Sequence, residues 1–152
     1  MIFTIPGKPT GKARARTFYN PRLGRTQSVT PKGTVSYENL VKTCYMQAED
    51  RKEWLDKEPL TVYITAYFDI PKSTSKKKRQ QMIDGELMPT KKPDIDNIAK
   101  IICDALNGVA YKDDTQVVEL IMRKKYTDGL PRVMVGIYDF EGGDADGDEW
   151  MG

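Results

Sequence analysis

Asp94, Asp96, Asn97 and Lys100 crowd together immediately after Pro93, a residue that tends to set the geometry of entry into a helix. At about 100° per residue, Asp96, Asn97, Lys100 and Asp104 share the helix face opposite the recurring isoleucines. Asp94 lies half a turn earlier, where its carboxylate can swing toward the same point. Two carboxylates this close repel unless a cation lies between them. Hard oxygen donors without histidine or thiolate select magnesium, manganese or calcium over zinc. The plainer alternative makes Asp94 or Asp96 an ordinary helix N-cap and Lys100 its surface ion-pair partner, since Asp96 and Lys100 are four apart.

A third carboxylate is available in Ala110-Tyr-Lys-Asp-Asp-Thr-Gln-Val-Val118. Neighbouring side chains of an extended chain point to opposite sides, so one of Asp113 and Asp114 can face the helix start while the other faces solvent or caps the loop. A simple polar turn is the alternative reading of the same residues. The chain has no histidine, which removes serine-histidine and cysteine-histidine hydrolysis, histidine-ligated zinc and histidine-metal nucleases within one chain. Acid-base work is left to carboxylates, lysines, tyrosines or metal-bound water.

The elements that must position these groups are read from periodicity. Ile2–Ile5 reads as a strand. A Gly-, Pro- and basic-rich arm follows to about Pro31, with short strands around Arg16–Tyr19 and Thr26–Val29. From Thr34 to about Glu49, Val35, Leu40, Val41, Cys44, Tyr45 and Ala48 mark a helical stripe. Leu60–Phe68 alternates as a half-buried strand, and Ser73–Met82 reads as a short basic helix capped by Ser73 or Ser75 and ended by Asp84-Gly85. Ile95, Ile98, Ala99, Ile102, Ala105 and Leu106 recur at helical spacing ahead of Gly108, a left-handed cap. Val117–Tyr126 and Pro131–Phe140, around Thr127-Asp-Gly-Leu130, have the pattern of a hairpin.

A chain of 152 residues suits one domain, expected over residues 1–141, with an acidic and disordered tail over residues 142–152. Cys44 and Cys103 have no paired metal-ligand spacing, the chain opens on a strand-like run, and no apolar stretch reaches the roughly 20 residues that cross a bilayer. A reduced cytoplasmic protein without membrane partners is expected. The net charge of +2 hides a polarised chain. Residues 1–37 carry Lys12, Arg14, Arg16, Arg22 and Arg25 among their cations and no acid, and Lys76, Lys77, Lys78 and Arg79 form a second block. These segments suit a polyanion, with solvated loops as the plain alternative. Phe18 and Tyr19, amid the arginines, could stack at an opened DNA centre, although core packing is the favoured reading of the two rings.

Taken together, Lys92-Pro-Asp-Ile-Asp-Asn-Ile-Ala-Lys100, Asp104-Ala-Leu-Asn-Gly108 and Tyr111-Lys-Asp-Asp-Thr-Gln-Val-Val118 resemble the signature of the RusA family of Holliday junction resolvases. The resemblance is strongest from about Lys91 to Val118 and extends from Met1 to Phe140. The basic arm and the Ser73–Arg79 block look like versions in phage and prophage members of Gram-positive bacteria, though the arm departs in length and sequence from shorter members. The resemblance implies an α+β fold, a single small domain with a mixed sheet flanked by helices. It also implies a homodimer that nicks four-way DNA junctions symmetrically in recombination and repair, using magnesium, with manganese as a substitute. By that resemblance Asp94, Asp96 and Asp114 match metal-binding aspartates and Lys100 a catalytic lysine, with Asp113 supporting. Asn97 would position Asp96 or a metal-bound water. The two basic segments would bind phosphates by shape and charge. The competing readings are a general nuclease for flaps or other branched DNA and a non-catalytic DNA-binding protein.

Overall fold

The computed structural model describes residues 1–142, so all of the acidic tail except Gly142 lies outside the described residues. In chain order the elements are β1 (Ile2–Pro6), β2 (Arg16–Asn20), β3 (Arg25–Val29), α1 (Lys32–Gln47), β4 (Leu60–Asp69), α2 (Lys76–Ile83), α3 (Ile95–Leu106), a 3-10 turn (Asp114–Gln116), β5 (Val117–Thr127) and β6 (Arg132–Asp139). Four strands form one mixed sheet in the order β1-β6-β4-β5. β6 is antiparallel to both β1 and β4, whereas β4 and β5 run parallel. The fold is α+β, as the resemblance implies.

β4 occupies the centre because its alternation suits a strand paired on both edges. Leu60, Val62, Ile64, Ala66 and Phe68 all point into the core and are buried. The parallel β4–β5 pair requires a crossover, and α2 and α3 lie within it. α1 and α3 pack together, with α1 also against β1 and α3 against β5. The other sheet face carries Ile2, Tyr63, Tyr67, Ile121, Met134 and Tyr138 along an open concavity. α2 buries none of its residues, and Ser75 rather than Ser73 caps it, through Lys78 N–H.

Three local expectations are corrected. Thr127-Asp-Gly-Leu130 does not close a hairpin, because β4 lies between β5 and β6. The link crosses two strand spacings, about 10 Å, which four extended residues can span. This lets both edges of the most apolar strand be paired. On α1 the buried residues are Thr34, Tyr37, Val41 and Tyr45, while Val35 is exposed. On α3, Ile101 is fully buried and Ile95 is exposed, so the buried stripe is rotated from the expected one.

The end of β6 is tied to the loop after α1. Lys52 pairs with Asp139, whose other oxygen accepts from Trp54 Nε1–H at 2.9 Å. Lys52 and that indole bond hold the Asp139 carboxyl below the usual carboxylate range. A lowered folded pKa contributes stability that is present above the ordinary carboxylate pKa and is lost as pH falls through the lowered value. Asp139→Asn should therefore destabilise the protein near neutrality, with the gap to wild type closing as pH falls through the lowered Asp139 value. Urea denaturation across that range checks this, and a pH-independent gap would remove the ion pair as its source.

Candidate active site

α3 begins with Asp94 at the N-cap position, in extended backbone geometry (φ −66°, ψ 149°), and its main-chain carbonyl accepts from Ile98 N–H at 3.1 Å. Its side chain makes no capping hydrogen bond. Asp96 lies in the first turn and Lys100 one turn on, and all three are exposed. Ion pairs among the described residues lie elsewhere, so Asp96 and Lys100 do not neutralise each other. The cap-and-ion-pair alternative is therefore not the arrangement adopted. The positive end of the helix dipole favours two carboxylates here but does not bond them.

The backbone around this helix start is held from both sides. Lys124, on β5, donates from Nζ to the Lys91 carbonyl at 2.6 Å and lies 5.2 Å from the centre of the Phe68 ring. Lys91 spans the Phe68 and Tyr126 rings at 5.7 and 5.8 Å. On the other side, Lys12 N–H donates to the Asn97 carbonyl at 2.9 Å. Gly11 makes that approach possible, since a Cβ there would stand 2.9 Å from Pro93 Cβ and 3.2 Å from Asn97 Cβ. Lys12 Nζ then bridges Glu38 on α1 and Asp104 on α3, the latter at 3.2 Å. Partial burial works against its charge, but hydrogen bonds and attraction from both carboxylates outweigh that and raise its pKa.

Of the adjacent acids, Asp113 takes the structural role. It caps the 3-10 turn by accepting from Thr115 N–H at 3.1 Å, which lowers its pKa together with a contact from Asp114. Asp114 adjoins it and is half-buried. Its hydrogen bond with Asp113, partial burial and the charges of Asp113 and Asp104 raise its pKa. Nearby, burial pushes the Cys103 thiol up to about 11, and burial likewise raises the Tyr111 phenol, whose Oη donates to the Cys103 carbonyl at 2.9 Å. Neither suits proton transfer near neutrality.

The 3-10 turn packs on α3, and Asp114 lies within the field of Asp104 and Cys103. Asp96 is eight residues before Asp104, about 12 Å along the axis. Among the described residues no three Asp, Glu, Cys or His side chains form a ready metal cluster. The donor chemistry nevertheless fits a hard divalent cation. Magnesium commonly takes one or two carboxylates and fills its remaining positions with water and substrate phosphate.

Of the basic residues, Lys12 is engaged by Glu38 and Asp104, whereas Arg14, Arg16, Arg22 and Arg25 are exposed on or beside the β2–β3 ribbon. Lys76, Lys77 and Lys78 are exposed on α2, with Arg79 half-buried. Phe18 is 46% and Tyr19 63% exposed, so the core-packing reading of these rings is overturned; the ribbon extends beyond the core that would have covered them. Sequence reasoning also missed Gln116. This buried side chain accepts from Lys112 and Asp113 N–H at 3.0 and 3.2 Å, and donates to the Leu55 and Glu58 carbonyls, both at 3.0 Å. The spacing Asp113-x-x-Gln116 is a capping-box pattern and was the available signal.

The family model described as Endodeoxyribonuclease RusA matches residues 6–138, a span that includes every residue of the candidate site. The chain is also 36% identical over 137 residues to "Uncharacterized protein YqaN" of Bacillus subtilis (strain 168), an alignment covering 89% of this chain and 93% of that relative. No helix among the described residues is long and apolar enough to cross a membrane. Gln116→Leu should cost about 2–4 kcal/mol, because two carbonyls and two N–H groups lose their partner in a partly buried setting. Chemical denaturation measures this; a loss under about 0.5 kcal/mol would mean that water replaces the amide.

Proposed function

This chain belongs to the RusA endodeoxyribonuclease family, and on that premise we propose that it resolves four-way DNA junctions by paired, symmetric nicks in recombination and repair. We assign the activity to residues 1–141. The observation that carries the reading is that Asp94, Asp96 and Lys100 are exposed at one helix start and unpaired with each other, on a backbone held from both sides. Charged groups left without partners on a braced scaffold suit substrate and cation rather than stability.

Asp94 and Asp96, joined by Asp114, are the residues that would hold magnesium, with manganese as a substitute. When bound, such a cation lowers the pKa of a water ligand and neutralises charge on the scissile phosphate. Lys100, one turn from Asp96 on the same helix face, places its ammonium where negative charge grows during in-line displacement. Asn97 holds its backbone against Lys12, keeping the first turn of α3 in register with the arm. Asp113 secures the turn and shares a side-chain hydrogen bond with Asp114.

A four-way junction has approximate two-fold symmetry, so a homodimer with isologous contacts would bring equivalent sites to two opposed strands. The exposed arginines of the arm and Lys76–Arg79 would bind backbone phosphates, with affinity falling as salt rises. The test is cleavage of a labelled immobile junction and of the matching linear duplex, with magnesium or EDTA. Asp94→Asn, Asp96→Asn, Asp114→Asn and Lys100→Met should each slow cutting by at least about 100-fold while junction binding persists. Equal cutting of both DNAs would make the protein a general nuclease, and near-normal cutting by the aspartate variants would overturn the site.

A further inference from the structure

The β2–β3 ribbon presents side chains to solvent on both faces. In its register Arg16 lies opposite Val29, Phe18 opposite Gln27 and Asn20 opposite Arg25. Directly opposed residues share a face, so Phe18 stands between Arg16 and Arg25 on one side. The reverse side carries Thr17 opposite Ser28 and Tyr19 opposite Thr26. Each face therefore bears one exposed ring, and only the Phe18 face is cationic. Leu23 is exposed at the tip and Val29 near the base. A two-stranded ribbon with both faces in water is marginal by itself, so this one is built to be covered.

Its position and charge indicate by what. Lys12 is bonded to Asn97, and Ala13 N–H donates to Thr34 Oγ1 at 3.3 Å, so the chain leaves the α1–α3 surface three residues before β2 begins. Three residues reach about 10 Å at most, which keeps the ribbon's base beside the candidate active site. Arg14, Arg16, Arg22 and Arg25 lie on or next to it, with no acidic residue anywhere in residues 1–37. That field suits a polyanion, and a two-stranded ribbon is of a size to enter a DNA groove.

We propose that the β2–β3 ribbon is a wedge entering between two arms of a branched DNA, with Phe18 and its arginines against one arm and Tyr19 against the other at the branch point. This rests on the junction-cutting reading and adds to it the element that tells branched from linear DNA. A linear duplex at the site meets only the cationic Phe18 face. A branched substrate brings a second arm, and opened bases, to the Tyr19 face. An aromatic ring stacked on an exposed base contributes roughly tenfold or more in affinity.

The experiment measures binding of the full chain, in EDTA, to a fluorescent four-way junction and to the matching duplex, with 2-aminopurine at the branch point as a second readout. Tyr19→Ala should weaken junction binding roughly tenfold, leave duplex binding within about twofold, and abolish the rise in 2-aminopurine emission that wild type produces. Tyr19→Phe should restore all three, and Phe18→Ala should weaken both DNAs. Both positions are exposed, and an unchanged thermal midpoint would verify that the variants fold. Junction affinity unchanged by Tyr19→Ala, or junction and duplex affinities reduced alike, would overturn the wedge while leaving the nuclease reading in place. A smaller species in sedimentation for Tyr19→Ala would also overturn it, by showing that the ring contacts a second copy of the chain. If wild type itself did not prefer the junction, the proposed function would fail, and the wedge with it.

Discussion

Everything at the candidate site depends on α3 laying its apolar stripe on α1 and the sheet. Ile98, Ile101, Ile102, Ala105 and Leu106 are fully buried, and each large side chain among them contributes roughly 1.5–3 kcal/mol by leaving water. A helix turns about 100° per residue, so this burial leaves no freedom over where Asp96, Asn97, Lys100 and Asp104 go. The rotation of the candidate face is thus set by packing on the opposite side, which a metal or a phosphate need not enforce.

Packing fixes rotation but not the path of the chain into the helix, and polar contacts do that. Lys124 holds the Lys91 carbonyl from β5, Lys12 holds Asn97 from the arm and crosslinks α1 to α3, and Gln116 joins the 3-10 turn to the loop at Leu55–Glu58. Each contact crosses between segments distant in sequence. Asp94, Asp96 and Lys100, at the helix start so held, have no ion-pair partner among the described residues. Of the adjacent acids, Asp113 caps the 3-10 turn, and Asp114, hydrogen-bonded to it, has a raised pKa.

The charges are arranged in opposition. Asp94, Asp96, Asp104 and Asp114 make the surface of α3 and its adjoining turn acidic, while the ribbon and α2 present exposed cations. An acidic patch repels phosphate unless a cation intervenes, whereas the surrounding basic segments attract it.

Read alone, the residues from Lys92 to Val118 determined the candidate carboxylates, the lysine and the family, because those features are local. Helical spacing placed α3, strict alternation placed β4, and turn composition placed the ends of α2. What was not local was not legible. Whether Thr127–Leu130 closes a hairpin depends on which strand takes the adjacent edge, and the apolar β4 has a stronger claim to two paired edges than β5 or β6 has to each other. Val35 and Ile95 fit a periodic stripe but lie where no neighbour covers them, while Ile101 and Gln116 are buried by segments far along the chain. The pairing of Lys12 with Glu38 and Asp104, and the exposure of Phe18 and Tyr19, likewise came only from tertiary structure. Periodicity reports the face a segment would prefer to bury, but the burial itself is decided by what stands opposite.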